Sequence, residues 1–513
     1  MNMNSLGMLL GGFANALTPA NLLMALIGVL IGSLAGMIPG IGPTPAIAIL
    51  MPFTTALGPV QGIIMLAGIY YGAVYGGSTT AILLGIPAEL QAVPVTLDGY
   101  PLAKQGKGGP ALGIAAISSF VAGILGVLGL IFFAPLLAAQ ALKFGPPEYF
   151  ALMILTLTVI VNLSGASVAK GLVMGLAGYL VSMVGVGPSS GHARFTFGLA
   201  PLSAGVEMVS VIIGLFAISE VIIGMGSRTP VTAAEKIGSV YPSRADLKHT
   251  APTMVRSGLI GFFLGLLPGA SPAVSAFLSY DVEKRLSKNP GQFGKGELRG
   301  VAAPEAAGNA TASSGFIPLF TLGIPSSPPL AILLAGLMIY GLQPGPNLFQ
   351  QSGSFVWAVI ASMFIGNVML VVLHLPLVGI WVKLTQIPLR VLKPIVLILC
   401  VVGVYTVRNS MFDVLVAIIF GVIGYFLRKY HWPLVPFILC FMLGPLTELS
   451  FVQSMSISNG SLSIFFTSPI ALVILILAAV LFAVSVLLMR RSRKRALSLE
   501  ADRPDLPISI HTN

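Results

Sequence analysis

The sequence predicts an all-α polytopic membrane protein built from two inverted-topology repeats. Three observations predict it. Apolar runs of bilayer-spanning length recur from end to end, Lys and Arg fall unevenly between the loops, and a set of Gly/Pro motifs occurs twice in the same order. Each repeat is expected to hold one re-entrant hairpin, a broken helix and about five crossings; with a last single span this gives about 11 crossings plus two hairpins.

Composition sets the class. Of 513 residues, 56% are hydrophobic and 8% charged, and mean hydropathy is +0.96. A soluble domain carries about 25% charged residues, so this chain has too little polar surface to wet a globule of its size. A soluble enzyme, a secreted disulfide scaffold and a disordered chain are excluded. The net charge of +11 does not argue for a nucleic-acid partner. Its basic residues lie between apolar runs and in the stretch from Arg490 to Arg495, the pattern of cytoplasmic loops. Cys400 and Cys440 sit inside apolar runs and read as packing residues. The first twenty residues hold no Lys or Arg, so a secretory signal with a basic start is not expected.

Residues 1–20 are an uncharged N-terminal segment, and 21–97 form the first half of a transport unit, with runs near 21–53 and 62–97. Residues 98–227 hold scaffold spans near 111–137, 149–165, 167–188 and 204–227. A cytoplasmic loop, 228–249, leads to the second transport-unit half, 250–342, with runs near 250–280 and 301–342. Scaffold spans near 355–382, 394–407, 411–427 and 432–447 fill 343–447. An extra span near 467–489 lies in 448–489, followed by the basic tail 490–513. With that tail inside, the cytoplasmic loops hold 24 of the 27 Lys and Arg residues, leaving Lys143, Arg194 and Arg408 for the other side.

The loops 228–256 and 281–300 are both basic, so the segment between them enters and leaves on one side. From Ser257 to Pro268 a helix rises only ~16 Å, about half the ~30 Å hydrocarbon core. That predicts a re-entrant hairpin over 257–280. The run Gly32-xxx-Gly36-Met-Ile-Pro39-Gly40-Ile-Gly42-Pro43 recurs, 229 residues later, as Gly261-xxx-Gly265-Leu-Leu-Pro268-Gly269-Ala-Ser271-Pro272. Gly85-Ile86-Pro87 recurs as Gly323-Ile324-Pro325 at an offset of 238, and Gly175-Leu-Ala-Gly178-Tyr179 as Gly421-Val-Ile-Gly424-Tyr425 at 246. A slowly growing offset with the order kept is what duplication with loop insertions leaves. The first hairpin is flanked by uncharged stretches and the second by basic ones, so the second copy is inverted.

Four stretches are expected to carry irregular backbone at membrane depth, tolerated only where it is buried in protein or lines a wet cavity. They are the hairpin tips, Pro39-Gly40-Ile41-Gly42-Pro43 and Pro268-Gly269-Ala270-Ser271-Pro272, and the polar runs Gly76-Gly77-Ser78-Thr79-Thr80 and Gly308 to Gly315. Free N–H groups at a broken helix suit carboxylates, and free C=O groups suit Na⁺. The candidate substrate-binding residues are Pro39, Gly40, Gly42, Pro43, Ser78, Thr79, Thr80, Pro268, Gly269, Ser271, Pro272, Asn309, Thr311, Ser313 and Ser314. For a cation they are Gly40, Gly76, Gly77, Gly269 and Asn309. Gly32, Gly36, Gly261 and Gly265 read as close-packing positions. Among ionisable residues, Glu305 lies shortly before Asn309, while Glu220 and His374 are each either a proton carrier or a satisfied polar contact between helices. No phosphate-binding loop, HExxH or Cys/His cluster is present, so neither an enzyme nor a bound cofactor is expected.

Four long strings carry a family resemblance: GxxxGMIPGIGPTPAIAILMPF, YYGAVYGGSTTAILLGIPAE, GLLPGASPAVSAFLSYDVEKR and PEAAGNATASSGFIPLFTLGIPSSPP. The chain resembles the large membrane subunit of the tripartite tricarboxylate transporters, the TctA family. The resemblance implies import of a di- or tricarboxylate (citrate-like) across the bacterial inner membrane, coupled to Na⁺ or H⁺. It also implies a small TctB-like membrane subunit and a periplasmic TctC-like solute-binding protein. The rival reading is an ion channel whose re-entrant loops form a filter.

Overall fold

A computed structural model describes residues 3–38, 41–163, 168–187, 191–225, 239–267, 271–377, 379–381 and 389–483. Among these the chain is helical, with one two-residue antiparallel pairing of Gly185–Val186 with Ala193–Arg194. The first helices are α1 (Met3–Ala16), α2 (Pro19–Met37), α3 (Pro43–Thr54), α4 (Pro59–Leu84), α5 (Val93–Lys104) and α6 (Gly108–Ala141). Next come α7 (Pro146–Leu163), α8 (Val168–Ser182), α9 (Ala200–Ser203) and α10 (Met208–Ile212), which runs through a wide π turn into α11 (Ser219–Met225). The second half has α12 (Arg244–Gly265), α13 (Pro272–Leu286), α14 (Leu298–Ser314), α15 (Phe316–Leu322), α16 (Pro328–Ile339), α17 (Pro346–Gln351) and α18 (Gly353–His374). It ends with α19 (Leu389–Arg408), α20 (Met411–Lys429), α21 (Leu434–Ile457), α22 (Ile464–Thr467) and α23 (Pro469–Ala483).

Six of these, α2, α4, α6, α18, α20 and α21, are long and apolar enough to cross a bilayer. Rows such as Ile395, Ile398 and Val402 on α19 and Leu415, Ile418 and Val422 on α20 stand exposed, an arrangement water penalises and lipid accepts. This is a multi-pass membrane protein. The chain forms two compact units, residues 1–142 with 207–425, and residues 143–206 with 426–513. The second unit contains an Arg194–Glu448 ion pair at 2.7 Å and seats Gly178 of α8 against the backbone of Phe437 on α21.

The first unit is organised by bare helix faces. Gly28, Gly32 and Gly36 of α2 lie on the backbone of Met65, Ile69 and Ala73 of α4, where an added Cβ would come within 2.4, 2.4 and 2.0 Å of the three carbonyl oxygens. The α12–α14 contact has the same form, with Gly261 against Ala307 and Gly265 against Thr311. Close packing is therefore what these glycines do. Gly85 (φ +67°) ends α4 and Gly323 (φ +71°) ends α15, both in the left-handed region glycine tolerates. Each is followed by an isoleucine whose N–H returns six residues back, Ile86 to Thr80 O at 3.4 Å and Ile324 to Pro318 O at 3.2 Å.

Two expectations are corrected. Residues 76–80 are not irregular; they lie inside α4, and the chain breaks only at Gly85. Residues 308–314 are likewise helical, with a slight break at Gly315. Thr80 Oγ1 donates back to Gly77 O (3.3 Å), and Thr311 Oγ1 lies 2.8 Å from Ala307 O, so the hydroxyls fold onto their own helix and the ladder continues. The span expected over 432–447 extends to Ile457, across the 447/448 boundary, and α5 crosses the 97/98 boundary. Pro39, Gly40, Pro268, Gly269 and the basic tail from 490 lie outside the described residues.

Two buried carboxylates fasten the second half. Asp98 Oδ1 accepts the N–H groups of Gly294 (2.9 Å), Gly296 (2.9 Å) and Glu297 (2.8 Å), while its Oδ2 accepts the Tyr280 hydroxyl at 2.8 Å. Glu283 of α13 receives Arg256 of α12 through two N–H groups (2.5 and 2.8 Å) and the Thr253 hydroxyl at 2.9 Å.

Candidate substrate and coupling site

Glu305, 1% exposed, sits midway along α14, a helix buried from Gly300 to Ser314. Small residues on every side let neighbouring helices come close enough to reach it. Its Oε1 accepts a short bond from Ser78 Oγ of α4, and its Oε2 accepts Ser119 Oγ of α6 at 2.8 Å. Asn309, one turn further along α14, donates Nδ2 to Ser119 Oγ (2.8 Å) and to Glu305 O (3.0 Å). Three helices from distant parts of the sequence thus meet on one carboxylate.

A second carboxylate arrives from the turn after α4. A Cβ at Gly77 would lie 3.5 Å from Glu89 Oε1, so consecutive residues of α4 touch Glu89 and Glu305. Gln91 lies on α14 at Gly308, where a Cβ would meet its Nε2 at 2.4 Å. The Oε1 atoms of Glu89 and Gln91 are buried without a hydrogen-bond partner. Among the described residues no Lys, Arg or His pairs with Glu89 or Glu305. The bonds received by the Glu305 carboxylate come from the hydroxyls of Ser78 and Ser119.

Of the residues expected from sequence, Gly77, Ser78 and Asn309 come together here. Gly76 instead packs on Ser33, and Thr79 and Thr80 are buried within α4. Thr311 Oγ1 lies 2.9 Å from Gly261 O and 2.7 Å from Ser275 Oγ, Ser313 abuts Gly126, and Ser314 abuts Gly265. Gly42 and Pro43 open α3, and Ser271 and Pro272 open α13. His374 makes a polar contact, its Nε2 2.9 Å from Ser33 Oγ and its ring stacked on Trp381. Glu220 is partly buried on α11. Sequence reasoning passed over Glu89, Gln91 and Ser119. Glu89 carried a usable signal, since it is the first charged residue of the chain. Ser119 carried none, because one of two adjacent serines in an apolar helix looks like ordinary packing.

A family profile described as "Tripartite tricarboxylate transporter TctA family" matches residues 22–439. A protein of Agrobacterium vitis, described as an uncharacterized 52.8 kDa protein in the TAR-I ttuC' 3'region, is 41% identical over 492 residues, covering 96% of this chain and 98% of its own. A second A. vitis protein, from the TAR-II ttuC' 3'region, is 43% identical over 242 residues, 47% of this chain and 100% of its own. No solved structure matches.

Proposed function

This chain belongs to the tripartite tricarboxylate transporter TctA family, and from that premise we propose that it is the large membrane subunit of a cation-coupled carboxylate importer. The observation that carries the reading is the meeting of α4, α6 and α14 on Glu305, Ser78, Ser119 and Asn309 inside a membrane protein. Polar groups are costly at membrane depth and mark substrate or ion paths.

Duplication supports the transport reading. The pairs Gly32–Ile69 and Gly36–Ala73 correspond to Gly261–Ala307 and Gly265–Thr311, with offsets of 229 and 238 repeated on each side of the contact. The same 238 relates the two Ile-to-carbonyl bonds after Gly85 and Gly323. In our reading, α2–α3 and α12–α13 are inverted, re-entrant hairpins. Segments 21–97 and 250–342 form a transport unit that moves against scaffold spans from 98–227 and 343–447. Substrate is a di- or tricarboxylate, recognised by hydroxyl, amide and backbone donors, and handed over by a periplasmic TctC-like protein with a small TctB-like subunit alongside. The membrane is the bacterial inner membrane, with the basic C-terminal tail in the cytoplasm.

The test is uptake of radiolabelled citrate by cells producing the chain with those two partners. Asn309→Ala and Ser78→Ala, at wild-type membrane levels, should each lower uptake about tenfold, the equivalent of one buried hydrogen bond at roughly 1.4 kcal/mol. Full uptake in both variants, or single-channel currents in place of counterflow, refutes the reading.

A further inference from the structure

Resting on that reading, we infer that Glu89 and Glu305 together hold the positive charge, a proton or Na⁺, whose passage drives transport. Ionised carboxylates in an apolar interior need a counter-charge, and among the described residues no basic side chain supplies one. The titratable neighbours are two of the three tyrosines of α4, Tyr70 and Tyr75, and both hydroxyls are committed elsewhere; the third, Tyr71, turns its unpartnered hydroxyl to Gly366 of α18. Tyr75 donates to Ala116 O at 3.1 Å, and the Tyr70 hydroxyl lies 3.2 Å from Ser327 Oγ.

Oxygen acceptors outnumber donors around the pair. Glu305 uses the hydroxyls of Ser78 and Ser119, whereas Glu89 Oε1 is left with none. Gln91 is an independent pointer: it is 4% exposed, lies on α14 at Gly308, one turn from Glu305, and its Oε1 is buried without a donor. Hard oxygens without donors suit a proton or a small hard cation.

Symmetry does not account for the two acids. At the 238 offset Glu305 corresponds to Ala67 and Glu89 to Ser327, so neither carboxylate has an acidic counterpart in the other copy. Location provides a route: Glu89 is half-buried, on the turn beyond Gly85, while Glu305 is enclosed. Coupling to substrate follows from Ser119, which donates to Glu305 and accepts from Asn309. A charge arriving at Glu305 changes what Ser119 can offer Asn309.

The experiment uses the purified full-length chain in detergent and reads its melting midpoint, with NaCl exchanged for KCl at fixed ionic strength and, separately, across pH at fixed salt. The wild type should be stabilised by Na⁺ if that is the ion, or by lowering pH if it is the proton. Glu89→Gln removes a charge without removing a bond at Oε1, so it should fold, and it should lose that response, as should Glu305→Gln. A wild type indifferent to both Na⁺ and pH, or a Glu89→Gln chain responding as the wild type does, overturns the assignment. Citrate uptake that survives such a result leaves the importer reading standing.

Discussion

Alanine at Gly36 would place a methyl carbon 2.0 Å from the carbonyl oxygen of Ala73. Ordinary van der Waals contact begins near 3.4 Å, so α2 and α4 must part by about 1.4 Å there. The obstacle is backbone, which cannot rotate away, and Gly28 and Gly32 hold the same two helices together along their length. Overpacking of this kind costs about 1–3 kcal/mol, against a gain of roughly 0.5–1 kcal/mol from giving a helix alanine for glycine. The net expectation for Gly36→Ala is a loss of about 1–2 kcal/mol. Gly11→Ala on α1 is the matched control, because nothing lies within 4 Å of its Cβ position; it should be neutral or stabilising. Thermal unfolding of both variants in detergent measures the contrast. A Gly36→Ala chain melting at or above the wild-type midpoint would show that the α2–α4 interface yields and that these glycines are not needed for close packing.

Asp98→Asn replaces a charged acceptor of three N–H groups and a hydroxyl with a neutral one, and should cost about 1.5–3 kcal/mol. Faster tryptic cleavage at Lys295, within the segment Asp98 holds, reads that loss, and unchanged cleavage counts against the clamp. Arg256→Ala leaves Glu283 buried with Thr253 as its remaining donor; because Arg256 itself is 42% exposed, the loss should be about 1.5–3 kcal/mol, that of a hydrogen bond to a charged group. Adding Glu283→Gln should recover most of the melting midpoint. Glu297 gives a pH dependence. Burial raises its carboxyl, but hydrogen bonds from His249 and from Arg299 outweigh that and hold it below its ordinary 4.5. Its contribution is therefore complete above pH 4.5 and fades as pH falls through the lowered value. A Glu297→Gln chain should show a flatter stability profile below pH 4.5 than the wild type.

Much of this architecture was legible because it is written in residue size and charge. Glycines four apart announce a close helix face, and Gly85 and Gly323 followed by Ile-Pro mark a turn. The polar runs misled because Ser and Thr are ambiguous: the same hydroxyl that lines a broken helix also bonds its own preceding turn, as Thr80 and Thr311 do. Where periodicity gives way to three-dimensional meeting points, sequence says little. Ser119 lies 186 residues from the carboxylate it serves, and only the packing of α6 on α14 joins them. Glu89 was visible as a lone charge, yet its neighbours Gly77 and Gln91 acquire meaning only once α4 and α14 are in place.

The grip of Asp98 on the segment 294–297 also has a bearing on biosynthesis. The groups that satisfy this anion leave the ribosome almost 200 residues after it does. At about 5–20 residues per second the delay is on the order of 10–40 s. Throughout that interval the nascent N-terminal half carries an unsatisfied carboxylate that must stay in water or be sheltered by the insertion machinery, and its assembly waits for the second half to be born.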